Sequence, residues 1–181
     1  MVGLHHGGLH RNDNVKQLTS SLVPLLSSDS NRKKYRTFKF VPQSPEGKEF
    51  GRAPSSFSID SLVFEAIIDF EKEFNINKTR RYVLGALGGG YGTWNFISSR
   101  PEMFAAAIPI SGGGDPKFAS SLTNVAIWVF HGAKDKDVPV NLSRDMIEAI
   151  KKADGNPKYT EYPNKGHIIG NEVENTQGLL D

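Results

Sequence analysis

Short apolar runs alternate with amphipathic helical patterns along the chain. Strand-like runs lie at Met1–Leu4, Phe38–Val41, Tyr82–Leu84, Phe104–Ile110, Val125–Phe130 and Lys158–Tyr162. Apolar residues at helical spacing predict helices over Ile59–Phe74 and Asn141–Lys152, and a third helix from about Gly90 to Ser99. This alternation predicts an α/β fold with a mostly parallel sheet and helices on both of its faces.

Composition and charge narrow the classes of protein that fit. The 181 residues are enough for one domain, which we expect to span residues 1–181. The net charge is +2, and the one basic cluster, Arg32-Lys33-Lys34 with Arg36 nearby, is interpreted as a solvated loop. No wider basic stripe accompanies it, so we predict no nucleic-acid partner. No apolar run reaches the ~20 residues that span a bilayer.

The chain has no cysteine, which excludes disulfides and thiolate chemistry. His5, His6 and His10 lie close together in a glycine-containing loop, but they lack the fixed spacing of a helical metal-ligand pair. We therefore predict no metal and no cofactor. No signal peptide is visible, and a cysteine-free chain is compatible with either a secreted or a cytoplasmic location.

The segment after Tyr82–Leu84 carries the strongest chemical signal. There the chain reads Gly85-Ala86-Leu87-Gly88-Gly89, between a short strand and a helix. Strand, tight glycine turn and helix is the context of the nucleophile elbow, Gly-x-Ser-x-Gly. Leu87 stands where the serine would be, and leucine has no nucleophilic atom. Because Leu87 gains nothing from a strained backbone, we expect the turn to keep its path but to be free to relax.

The chain as a whole resembles the phospholipase/carboxylesterase branch of the α/β-hydrolases, especially the polyhydroxybutyrate-depolymerase-like esterases often labelled predicted peptidases. The stretches that carry the resemblance are His5-His6-Gly7-Gly8 with residues 13–18, the elbow through Trp94, His131 to Pro139, and Gly166-His167. The resemblance implies hydrolysis of a small-molecule or polymeric carboxylic ester by a Ser-Asp-His triad, without a cofactor.

The resemblance also assigns roles to residues in chain order. The nucleophile position is Leu87, the acid is Asp135 and the base is His167. Asp137 competes for the role of the acid, but the family pattern Asp-x-x-Val-Pro selects Asp135. His131 closes a strand, and the resemblance makes it a packing residue.

An oxyanion hole needs two backbone N–H donors. The resemblance assigns one to Gly88 and the other to Gly7 or Gly8, with the register open by one residue. The family usually shows His-Gly-x-Gly-Glu-Arg in that loop. This chain shows His6-Gly7-Gly8-Leu9-His10-Arg11, so the acidic residue is missing.

No other hydroxyl replaces the missing serine. Ser98 and Ser99 lie near the far end of the elbow helix, Thr93 lies inside it, and Ser111 follows a different strand. Three functions therefore stay open: an esterase-like pseudoenzyme, a binding module that retains an acyl or carbohydrate-ester pocket, and a hydrolase that uses His167 and Asp135 to activate water.

The resemblance has a consequence for both ends of the chain. It implies that Met1–Leu4 is the third strand of the fold, that the first two strands are missing, and that residues 177–181 begin a final helix. Phe38–Val41 would then be an exposed edge strand, which can pair with another molecule. A dimer through this edge is one hypothesis, and the sequence leaves the oligomeric state open.

Overall fold

A five-stranded sheet forms the centre of the computed structural model, which describes residues 1–20, 22–51 and 58–180. Its strands are β1 (Val2–Leu4), β2 (Tyr82–Ala86), β3 (Ala106–Ile110), β4 (Ala126–Gly132) and β5 (Lys158–Tyr162). They lie side by side in chain order, and every neighbouring pair is parallel. The predicted α/β class with a parallel sheet is confirmed.

Helices cover both faces of the sheet. They are α1 (Leu22–Ser27), α2 (Asp29–Lys34), α3 (Asp60–Glu73), α4 (Gly88–Ser99), α5 (Asn141–Lys152) and α6 (Gly170–Glu174). Short 3-10 turns lie at Gly7–Leu9, Lys16–Thr19, Pro101–Met103 and Pro116–Leu122. Helices α3, α4 and α5 share one apolar cluster with the sheet, and α1 and α6 share the other.

The two clusters follow from the alternation of side chains along a strand. In β2, Val83 belongs to the cluster with α3 to α5, and Leu84 belongs to the cluster with α1 and α6. In β4, Val129 and Phe130 divide in the same way, and both are fully buried. Strands β2 and β4 are therefore apolar on both faces, as expected of the covered strands of a parallel sheet.

Several local predictions were wrong. Only Phe40 of the predicted strand Phe38–Val41 joins the sheet, through a single parallel bridge to Val2. The basic cluster is exposed, as predicted, but it lies in helix α2 rather than in a loop. Residues 177–180 form turns instead of a helix, and residue 181 lies outside the described residues.

The parallel arrangement brings the candidate site residues together at the carboxyl ends of the strands, which form one edge of the sheet. All five strands end on the same side, so the residues that follow them meet there. These are His5, Leu87, Ser111, Asp135 and His167. In the described ranges no helix has the length and apolar character needed to cross a membrane.

Candidate active site

The elbow is a sharp turn at Leu87 between β2 and α4. Leu87 has φ of 57° and ψ of −114°, which lies outside the regions that suit a leucine. Its N–H donates to the carbonyl oxygen of Ile110 at 2.9 Å, and its carbonyl oxygen accepts from the N–H of Tyr91 at 3.0 Å. The turn has therefore kept its path without relaxing, because both its peptide groups are held.

Two glycines allow this turn to pack against the sheet. A Cβ added at Gly85 would lie 2.4 Å from the carbonyl oxygen of Gly89. A Cβ at Gly89 would lie 2.1 Å from the carbonyl oxygen of Leu4. Any side chain at either position would collide with backbone, so these positions require glycine.

Leu87 itself is half-buried and packs against the cluster formed with α1 and α6. Ser111 lies nearby in the fold, but it is fully buried and its hydroxyl donates to the carbonyl oxygen of His167 at 3.4 Å. The hydroxyl of Thr93 donates to the carbonyl oxygen of Gly89 at 2.8 Å. Neither hydroxyl occupies the elbow.

Asp135 and His167 form the most direct side-chain pair at this edge. Nδ1 of His167 lies 3.0 Å from Oδ1 and 2.9 Å from Oδ2 of Asp135. Oδ1 also accepts the N–H groups of Asp137 and Val138, each at 2.9 Å. Burial alone raises the pKa of Asp135, but these N–H groups and the His167 ring together hold that pKa below its usual value. Asp135 is therefore ionised at neutral pH.

Asp137 is placed differently from Asp135. Its side chain is 71% exposed, and its Oδ2 lies 3.9 Å from Nδ1 of His167. The Asp135 side chain is fully buried. The structure thus brings Asp135, rather than Asp137, into hydrogen-bond contact with the histidine.

Asp135, Asp137 and His167 also offer ligand atoms within 4.8 Å of one another. Nδ1 of His167 and Oδ1 of Asp135 are already joined to each other, and Oδ1 accepts two backbone N–H groups. These hydrogen bonds account for the proximity of Asp135 and His167 without an ion, and the Asp137 carboxylate is exposed beside them.

His131 supports the loop that carries Asp135. Its ring is fully buried, with Nδ1 2.7 Å from the hydroxyl oxygen of Ser143 and Nε2 3.0 Å from the carbonyl oxygen of Val138. Nε2 also lies 3.4 Å from Oδ2 of Asp135. Burial lowers the pKa of His131, so the ring is neutral near pH 7. The structure thus gives His131 a packing position, as the sequence predicts.

The backbones of Gly7 and Gly88 approach each other closely. A Cβ added at Gly88 would lie 3.4 Å from the backbone nitrogen of Gly7. Each glycine begins a helical turn, where N–H groups have no partner within the turn. The N–H of Gly8 instead donates to Nδ1 of His6 at 3.2 Å. Of the two glycines left open by the sequence, Gly7 is the one beside Gly88.

Sequence reasoning missed the buried position of His5. Its side chain is almost completely buried, and both ring nitrogens contact backbone atoms. One available signal was its place directly after an apolar strand end, Val2-Gly3-Leu4, where the next side chain enters the interior.

A solved esterase structure has a similar fold over most of the chain. A thermostable esterase matches 89% of the chain with a TM-score of 0.81 and 33% sequence identity. The chain has an esterase-like α/β-hydrolase fold. It spans 45% of the length of that esterase.

Other solved structures match at lower sequence identity. Arabidopsis thaliana SOBER1 has a TM-score of 0.63 at 16% identity, and the match covers 96% of this chain and 94% of SOBER1. A ferulic acid esterase has a TM-score of 0.70 at 14% identity, with 96% of this chain and 81% of the esterase covered. At these identities the similarity shows the fold alone. No protein-family model and no curated protein matches the chain.

Proposed function

We propose that the chain is a serine-esterase-like α/β-hydrolase in which Leu87 occupies the nucleophile position, so that carboxylic ester hydrolysis is lost or severely impaired. The observation that carries this proposal is the backbone of Leu87. It has the strained turn of a nucleophile elbow, with φ of 57° and ψ of −114°, at the sheet edge where Asp135 contacts His167.

The proposed role of Asp135 is to hold His167. With Nδ1–H of His167 donating to an ionised carboxylate, Nε2 carries the lone pair that a general base needs. In a complete triad, Nε2 would take the proton of a hydroxyl at position 87 while that oxygen attacks the ester carbonyl. Asp135 would then stabilise the imidazolium that forms.

The N–H groups of Gly88 and Gly7 are proposed to stabilise the oxyanion, with Gly8 as the less favoured second donor because its N–H already donates to His6. With Leu87 there is no hydroxyl to deprotonate and no acyl-enzyme intermediate. What remains in such sites is an acceleration of about 10³–10⁴ over water, supplied by the oxyanion donors and by binding.

We also propose a specific branch of the α/β-hydrolases for this chain. It is the phospholipase/carboxylesterase branch, among polyhydroxybutyrate-depolymerase-like esterases. The motifs that occur in order from His5 to His167 support this placement. The corresponding substrate class is a small-molecule or polymeric ester, and the chain is a pseudoenzyme of that class.

A second candidate function is binding without turnover. Leu87 presents a half-buried apolar side chain at the elbow, and Ile168, directly after His167, is 76% exposed. An apolar patch rimmed by polar groups marks a ligand-binding groove, and these two side chains would supply its apolar part. In this alternative the site retains an acyl or carbohydrate-ester ligand and releases it unchanged.

The test is hydrolysis of p-nitrophenyl acetate and butyrate by the unmodified chain, Leu87→Ser, Leu87→Ala and the double variant Leu87→Ser/His167→Ala. We expect Leu87→Ser to be the most active of the four, with kcat/KM at least about 10²-fold above Leu87→Ala, because only that variant has both a nucleophile and its base. Leu87→Ala controls for the loss of the leucine side chain.

Other outcomes separate the alternatives. A folded Leu87→Ser protein without activity contradicts the proposed triad. Activity of the unmodified chain that disappears on His167→Ala indicates the water-activating route instead. Calorimetric titration with the non-hydrolysable ketone analogue of the butyrate ester tests the binding function, and micromolar affinity without turnover favours it.

A further inference from the structure

The loop after β1 is held by a buried imidazole. His5 is 1% exposed, and its ring lies edge-on against those of His10 and Phe50, at centroid distances of 5.2 Å and 5.0 Å. Nε2 of His5 accepts the backbone N–H of Ser44 at 2.8 Å. Nδ1 lies 2.8 Å from the carbonyl oxygen of His6.

These two contacts determine the tautomer. A backbone N–H can only donate, so Nε2 must carry the lone pair. A carbonyl oxygen can only accept, so Nδ1 must carry the proton and donate it to His6. Burial lowers the pKa of His5, which keeps the ring in this neutral form near pH 7.

The acceptor is the carbonyl group of the peptide bond that joins His6 to Gly7. Because a peptide unit is planar and trans, fixing the direction of the His6 carbonyl also fixes the Gly7 N–H, which points the opposite way. Leu9 donates to the same carbonyl oxygen at 3.1 Å. The plane that carries the Gly7 N–H is thus held by two donors.

Ser44, which contacts Nε2 of His5, is itself held in place by further hydrogen bonds. Ser44 is fully buried, its hydroxyl donates to the carbonyl oxygen of Lys48 at 2.7 Å, and its own carbonyl oxygen accepts the N–H of Arg11 at 3.3 Å. His5 therefore connects the 5–8 loop to a braced segment of chain about forty residues away.

We propose that His5 is a positioning residue for the oxyanion hole: it orients the His6–Gly7 peptide so that the Gly7 N–H is set beside Gly88. This inference rests on the proposed function, since it concerns the oxyanion donors of that same site. His5 touches no reacting atom and acts only through the His6 carbonyl.

The kinetic test uses the Leu87→Ser protein as background. Adding His5→Leu removes both hydrogen bonds, and we expect kcat to fall about 10–100-fold with KM changed less than about twofold, because oxyanion donors act in the transition state. Adding His5→Gln keeps one donor and one acceptor, and we expect it to recover part of kcat. Val125→Ala, buried just before β4 at the other end of the sheet, is the matched control for lost stability.

The outcomes discriminate positioning from simple packing. An unchanged kcat in a folded His5→Leu protein overturns the inference, and so does an equal fall in kcat for Val125→Ala at the same loss of melting temperature. If Leu87→Ser is itself inactive, the proposed function fails, and a second measurement still tests His5.

That measurement is the tautomer of His5 in the unmodified chain, read from long-range ¹H–¹⁵N correlations of the imidazole rings at pH 7.5, with His5→Gln used to assign the signal. We expect a protonated Nδ1 and an unprotonated Nε2. Protonation at Nε2 overturns the inference whatever the activity.

Discussion

Leu87 keeps the backbone of a nucleophile without having its chemistry. Its φ of 57° and ψ of −114° cost on the order of 1–3 kcal/mol in such sites. Leucine takes part in no reaction that would require this strained conformation, so the surrounding structure must impose it. Two backbone hydrogen bonds hold the turn, from Leu87 to Ile110 and from Tyr91 to Leu87, and the backbone packs closely around Gly85 and Gly89.

This strain predicts an unusual ranking of substitutions. Leu87→Gly should be more stable than Leu87→Ala by about 1 kcal/mol, because both lose the leucine side chain and only glycine tolerates the positive φ. In the exposed middle of α3 the order should reverse, and Ala66→Gly should destabilise by about 1 kcal/mol. Urea denaturation of the four proteins, including the unmodified chain, measures these differences.

An alanine variant at position 87 that equals or exceeds the glycine variant would show that the turn relaxes. It would also weaken the proposed function, since the held elbow is the observation on which that proposal rests.

At the scale of elements, segments that span at least two periods of their own repeat were predictable, and segments that do not were missed. Helix α5 and strand β5 have the predicted bounds, because each carries a full pattern of apolar positions or alternation. Helices α1, α2 and α6 have five or six residues each, too few to define a helical period.

In the candidate site, too, some features were predictable from the sequence and others were not. The glycine turn was predictable because backbone crowding permits only glycine there. The apolar strand end before His5 indicates a buried side chain, but its partners Phe50 and Ser44 lie about forty residues away, and no local pattern identifies them.

At the junction of β1, β2 and α4 the backbones approach each other very closely. Gly89→Ala would place a Cβ 2.1 Å from the carbonyl oxygen of Leu4, which is backbone and cannot turn aside. We expect α4 to shift and the free energy of unfolding to fall by about 3 kcal/mol or more, at the upper end of overpacking effects.

Gly170→Ala is the matched control, since it also lies in the first turn of a helix and its Cβ would meet no atom within 4 Å. It should be neutral or slightly stabilising. Thermal and urea unfolding of both variants tests this, and equal stability of the two would contradict the contact described between α4 and β1.

At the scale of the whole molecule, two buried histidines lie near the carboxyl ends of two separate strands, β1 and β4. His5 follows β1, and His131 lies within β4 and supports the loop that carries Asp135. Their rings accept or donate to backbone and hydroxyl groups while neutral, and protonation of either would place a charge in the interior. The two loops that hold the proposed chemistry therefore depend on neutral imidazole.

This dependence predicts a loss of stability in mild acid. Burial lowers the pKa of His5 and His131 below the ordinary value of 6.5, so the unfolded chain binds protons that the folded chain does not. The free energy of unfolding should fall as the pH drops below about 6.5, by up to about 1.4 kcal/mol per pH unit for each of these histidines. Burial also lowers the pKa of His6, and it lowers the pKa of the Met1 α-amino group from 8.0 to about 6, so both groups add to the fall, the amino group already from about pH 8 downwards. Urea denaturation between pH 7.5 and pH 5.0 measures this loss of stability, in a range where Asp135 stays ionised.

His5→Gln and His131→Gln should each make the plot of unfolding free energy against pH shallower. A plot that both variants leave unchanged would assign the effect to other groups.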